Sequence, residues 1–146
     1  MSTAEFSVEV DAPPDRVWTI VSNPANIPHW ERHVVNVRLP DGGLGEGSRY
    51  TVTMSFMAVR VTVRGEILAW EPPWHATIRL RGPLDATIDT TVAELPGGRS
   101  VLRHEVTYRF RGPLGGVVAA GLTAVGGAQL GIKHGTLAQK RQIEAG

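Results

Sequence analysis

Residues 5–39, EFSVEVDAPPDRVWTIVSNPANIPHWERHVVNVRL, decide how this chain begins to fold. Phe6, Val8 and Val10 alternate with Ser7 and Glu9, the period-two pattern of a strand with one buried face. Asp11 then precedes Ala12-Pro13-Pro14. Proline's fixed φ suits a first helical turn, and Val17, Trp18, Ile20 and Val21 supply an apolar helical face. Asn23-Pro24 ends that helix, because the residue before a proline is driven out of the α region. Asn26-Ile27-Pro28-His29-Trp30 predicts a second short helix or turn, and Val35, Val37 and Leu39 open another alternating strand. Trp18 is expected to pack its helix on the sheet. Trp30, on so constrained a turn, suits the wall at the mouth of a cavity.

Six alternating runs follow the first strand, at 34–39, 49–57, 59–70, 74–81, 84–95 and 101–110. Asp41-Gly42-Gly43, Glu71-Pro72-Pro73, Gly82-Pro83 and Pro96-Gly97-Gly98 punctuate them. Short strands joined by tight turns predict an antiparallel meander. Residues 1–146 read as one domain, with no repeat and no low-complexity tract.

Val-Asp-Ala-Pro-Pro-Asp-Arg-Val-Trp at 10–18, Asn23-Pro24, Pro28-His29-Trp30 and the turn Gly45-Glu46-Gly47-Ser48 follow one another in a telling order. Their spacing resembles the START-like (SRPBCC) superfamily, and within it the polyketide cyclase/dehydrase proteins. The resemblance covers nearly the whole chain. It implies an α+β helix-grip fold: a curved seven-stranded antiparallel sheet around a long C-terminal helix, with two short helices between strands 1 and 2. It also implies a hydrophobic cavity between sheet and helix. It implies no single activity, since such folds serve cyclases, aromatases, lipid carriers and hormone-binding proteins.

Composition fits a globular protein: 146 residues, 42% apolar and 20% charged. A net charge of +1 argues against nucleic acid as a partner. The absence of cysteine excludes disulfides and thiol chemistry. The N-terminus lacks a basic stretch followed by an apolar run, so no signal peptide is expected and the expected compartment is the cytoplasm. His29 and His33 lie four apart, but Pro28 argues against a continuous helix and no third ligand is in phase, so no metal is expected. The resemblance brings no cofactor, and none is expected. Gly42, Gly45 and Gly47 form a turn without the Lys-Ser/Thr of a phosphate loop.

Gly112 to Ile132 runs 21 residues without a charge, long enough to cross a bilayer on length alone. Seven of the 21 are glycine, however, and insertion favours large aliphatics. The reading adopted is a long helix from about 113 to 144, buried for its first two-thirds and solvated at Lys133, Lys140 and Arg141. No membrane span is expected. Val118, Leu122, Val125, Gln129, Ile132 and Thr136 recur at helical steps on one face. The adjacent small residues permit either close packing on the sheet or space for a ligand. His134 falls on the opposite, exposed side.

Candidate chemistry lies on the inward parity of the last strand. Leu102, Val106 and Phe110 share that parity with His104 and Tyr108. An imidazole and a phenol on one concave wall can act as proton donor and acceptor, and both are candidate catalytic residues. The competing reading is a core histidine satisfied by a carbonyl or water, and a tyrosine whose hydroxyl reaches solvent. Thr90 and Gln129 complete a sparse polar set in an apolar chamber, the usual character of a small-molecule pocket. Trp30, Tyr50, Met54, Phe56, Trp74, Leu122 and Val125 are the expected apolar and aromatic lining.

The resemblance to aromatic-ring cyclases is incomplete. Those proteins look as if they use an inward arginine, whereas Arg49, Arg60, Arg64, Arg79, Arg103 and Arg109 all fall on outward parity here. The expectation is therefore a protein that binds a hydrophobic small molecule, as a cyclase/dehydrase-like biosynthetic enzyme promoting ring closure or dehydration. A non-catalytic binding or carrier protein for a lipophilic ligand is the alternative. A homodimer is left open.

Overall fold

The computed structural model describes residues 1–124 and 126–146. The order is β1 (Ser2–Val10), α1 (Pro14–Val21), a 3-10 turn (Pro24–Asn26), α2 (Ile27–Trp30), β2 (Val34–Arg38), β3 (Arg49–Phe56), β4 (Val59–Glu71), β5 (His75–Arg81), β6 (Leu84–Leu95), β7 (Arg99–Phe110), α3 (Gly112–Ala124) and α4 (Ala128–Ala145). The seven strands form one antiparallel sheet in the order β1-β7-β6-β5-β4-β3-β2. The meander thus runs from β2 to β7, and β1 returns to pair with the last strand. Phe6 faces His104 across one side of β7, and Thr90 faces it across the other. This is the helix-grip arrangement that the family resemblance implies, with α1 and α2 between β1 and β2.

Irregularities in register between Val34 and Asn36 and between Ile67 and Ala69 bend the sheet, because an extra residue on one strand locally raises its twist. The first of these alters the expected parity of β2. Val34 becomes buried, while Val35 is 50% exposed, so the inward face is set by the bulge and not by simple alternation.

The expected single helix over 113–144 is two helices whose axes meet at 68°. The cause is in the backbone. Gly126 has φ +103° and donates to the Thr123 carbonyl, and Gly127 donates to the Leu122 carbonyl. Those paired bonds make a Schellman stop, which requires a left-handed residue and so selects glycine. The long C-terminal helix is α4, and it buries Thr136, Gln139 and Ile143 near its end. The expected burial gradient is therefore reversed. No single helix among the described residues is long and apolar enough to cross a membrane.

α4 lies along the free edge of β1 and hydrogen-bonds it. The Glu5 amide donates to Gln129 Oε1 (3.1 Å) and Gln129 Nε2 donates to the Glu5 carbonyl (2.6 Å). Lys140 reaches the Glu9 carbonyl (2.8 Å), and Glu144 accepts from the Asp11 amide (2.8 Å). Covering an edge in this way removes a template for further strand pairing. The core falls into two clusters. One contains Tyr50, Val52, Met54, Phe56, Val61, Val63 and Val118, the other Val10, Val17, Trp18, Leu102 and Ile143. Trp70 packs against both and meets Trp18 edge-on at 5.0 Å.

Candidate functional site

Between the inner face of the sheet and helices α3 and α4 lies a cavity of about 300 Å³. Its walls follow from strand parity: Tyr50, Val52 and Met54 of β3, Ile78 and Leu80 of β5, Ile88 and Thr90 of β6, and His104, Val106 and Tyr108 of β7 all point inward. Leu122 contributes from α3. Gly131, Ile132, Gly135, Thr136 and Gln139 contribute from α4, and Trp30 stands at the α2 side. Among the described residues no arginine or lysine lines the cavity.

The polar centre is His104. Its Nδ1 lies 2.7 Å from Thr90 Oγ1 and its Nε2 lies 2.6 Å from Gln139 Oε1. A carbonyl oxygen can only accept, so Nε2 carries the ring proton and Nδ1 accepts from the Thr90 hydroxyl. Burial holds the imidazole pKa below its ordinary value, and the Gln139 hydrogen bond offsets that only in part. His104 is half-buried, and the ring lies in the wall of the cavity. The result is a neutral imidazole of defined tautomer that ties β6, β7 and α4 together.

Tyr108 is also at the wall, but its surroundings differ. Its ring meets Phe110 edge-on at 5.6 Å, and its hydroxyl has no hydrogen-bond partner among the described side chains. Four residues of strand separate it from His104, roughly 13 Å at about 3.3 Å per residue. The two groups therefore address different parts of a bound molecule. Tyr50 is buried over Gly65, where an added Cβ would meet its ring at 2.6 Å, and burial pushes its hydroxyl pKa up. Trp30 Nε1 donates to Gln142 Oε1 (2.9 Å), which fixes the ring with its apolar surface toward the cavity.

Three expected lining residues lie elsewhere. Phe56 is buried at the far end of β3, stacked on His33 at 4.6 Å and pressed against Gly121, so it is core. Trp74 sits in the β4–β5 turn, 46% exposed, because that turn projects its side chain away from the concave face. Gln129, in the first turn of α4, is the edge clamp on Glu5, with its amide held by the β1 backbone. Val125 lies outside the described residues.

Gln139 is the site residue that sequence reasoning missed. Its signal was present: Ile132, Thr136, Gln139 and Ile143 continue the three- and four-residue steps of one helical face. A glutamine on a stripe otherwise facing the core needs a buried partner, and His104 is the one available.

Comparison with known proteins agrees with this fold. A family model described as polyketide cyclase / dehydrase and lipid transport matches residues 1–134. No curated protein matches the chain. Among solved structures, the protein TTHA0849 from Thermus thermophilus is similar at TM-score 0.75 and 14% identity, covering 99% of this chain and 98% of that one. The Zhui aromatase/cyclase from Streptomyces sp. R1128 is similar at 0.66 and 15%, covering 99% and 96%. Ara h 8.0201 is similar at 0.67 and 18%, covering 99% of both chains. At these identities the likeness is one of fold.

Proposed function

The chain belongs to the polyketide cyclase/dehydrase and lipid transport family, and from that premise we propose that it encloses a hydrophobic small molecule in the cavity against α4. One observation carries the reading: an apolar chamber of about 300 Å³ in whose wall the His104 ring has both nitrogens hydrogen-bonded, to Thr90 and Gln139. That volume is at the lower end of the roughly 300–1,000 Å³ of small-molecule pockets. Apolar walls supply affinity, Thr90 and the Tyr108 hydroxyl orient polar ends of the ligand, and an anionic ligand finds no counter-charge inside. The protein acts in the cytoplasm in this reading.

The test uses a neutral apolar fluorophore, N-phenyl-1-naphthylamine. Gly131 lines the cavity and an added Cβ there meets nothing within 4 Å, so Gly131→Leu extends into open space. The variant is expected to fold and to lose roughly tenfold or more in probe affinity, about 1.4 kcal/mol. Unchanged affinity in a folded variant would sink the cavity reading.

Ring closure or dehydration of a polyketide-like substrate is the second reading, favoured by the Thr90–His104 hydrogen bond. The Thr90 hydroxyl can take a substrate proton while passing its own to Nδ1, and enclosure holds a flexible chain near its cyclising geometry. Tyr108 then donates to an oxygen at the other end. Under this reading Thr90→Val and Tyr108→Phe retain binding and lose turnover, and under the binding reading there is no turnover to lose.

A further inference from the structure

We propose that the outer face of the sheet, opposite the cavity, carries a second site that takes a phosphate-bearing ligand in a groove across β2 to β5. Register sets its shape. Arg38 is paired with Thr51, Thr51 with Arg64, and Arg64 with Arg81, so these residues form one row at right angles to the strands. At about 4.8 Å per strand the row spans roughly 14 Å. Arg49 flanks it from the neighbouring row, opposite Glu66. Together they line a groove of about 460 Å³.

The charge balance of the groove is one-sided. Four guanidinium groups face a single carboxylate, and Glu66 lies 3.9 Å from Arg49. Among the described residues Arg38, Arg64 and Arg81 make no ion pair, and all three are exposed. Several other arginines are neutralised: Arg79, Arg109 and Arg111 surround the buried Asp85, and Arg103 binds Glu5 and Glu105, whereas Arg60, on the same face of β4, is exposed and forms no ion pair among the described residues but stands outside the groove. Like charges directly opposite on neighbouring strands repel, and Arg64 and Arg81 are so placed. A chain of net charge +1 does not acquire such a row from a general excess of base. Guanidinium forks match phosphate oxygens in pairs, and the Thr51 hydroxyl within the row adds a neutral donor. The length of the row suits a di- or polyphosphate group better than a single point anion.

This site goes beyond the cavity reading and is tested apart from it. Inorganic pyrophosphate is titrated into the full chain at ionic strength held constant with sodium chloride, followed by amide chemical shifts and thermal midpoint. Saturable shifts are expected at Arg38, Thr51, Arg64 and Arg81, with a rise in midpoint. Arg64→Gln combined with Arg81→Gln should weaken binding at least about tenfold, while Arg60→Gln, on β4 outside the groove, should not. If the double variant fails to fold, Arg38→Gln alone is read in the same way. A second arm replaces pyrophosphate with phosphatidylcholine–phosphatidylglycerol vesicles. Arginine-dependent binding of vesicles alone would assign the phosphate to a lipid headgroup, and pyrophosphate binding would assign it to a soluble ligand. A response equal to that of sodium chloride, or one that survives both arginine substitutions, overturns the proposal. Affinity for the neutral fluorophore stays unchanged in the arginine variants, so failure here leaves the cavity untouched.

Discussion

His104 concentrates what single residues contribute. The sequence placed it inward by parity, but its two partners decide its chemistry, since one ring nitrogen accepts from Thr90 and the other donates to Gln139. Burial lowers its pKa from the ordinary 6.5. The unfolded chain therefore gains a proton near pH 6.5 while the folded chain does not. Stability from this group is fully present above pH 6.5 and declines as pH falls from there toward the folded pKa. Between pH 7.5 and 5.5, urea unfolding should show wild type losing more stability than His104→Gln. His75, whose pKa is raised by hydrogen bonds to Glu71 and then Asp89, contributes the opposite slope. It is present in both proteins and cancels in the comparison. Equal pH profiles would show that the imidazole is not held neutral. Trp74 shows the limit of residue-level reading: an aromatic between two strands looks like lining until the turn is built, and then it faces outward.

Among the elements, the glycine-rich stretch was the hardest to read. Periodicity carries a helix through 113–144 because it scores side chains, while the break depends on backbone angles. Gly127 has φ +89° and ψ 177°, a region open essentially to glycine alone. Gly131, four residues later, lies inside α4 with open space beside its Cα. The two should respond oppositely to alanine. Gly127→Ala is expected to destabilise by about 1–3 kcal/mol through backbone strain. Gly131→Ala is expected to stabilise by about 0.5–1 kcal/mol through helix propensity. Thermal or urea unfolding of the two variants checks both signs, and destabilisation by Gly131→Ala would mean that close packing, not open volume, accounts for that glycine. The strands were more legible, since period-two patterning gave every one of the seven. The β2 bulge escaped because a register shift changes parity without changing composition.

Over the whole molecule, the sheet grips α4 imperfectly, leaving a cavity lined on the sheet side in large part by the cluster of Tyr50, Val52, Met54 and Val63. Among the described residues Trp70 packs against both core clusters, so its loss acts on the molecule as a unit. Trp70→Ala should lower unfolding free energy by about 3 kcal/mol, the low end for such a truncation because the ring is partly exposed. Denaturant unfolding checks it, and a loss below about 1 kcal/mol would show that the clusters do not depend on this bridge. Local periodicity and turn chemistry in the sequence were enough for the seven strands, their antiparallel meander and the inward parity of His104, Tyr108, Thr90, Tyr50 and Met54, while the helix-grip fold was legible through the motif resemblance. Tertiary structure alone decided that Gln139 and not Gln129 meets the imidazole, that Phe56 and Trp74 leave the lining, and that three arginines from three strands share one unneutralised row. Each of those outcomes depends on how distant segments are rotated and registered against one another, and the pattern within any one segment does not contain that information.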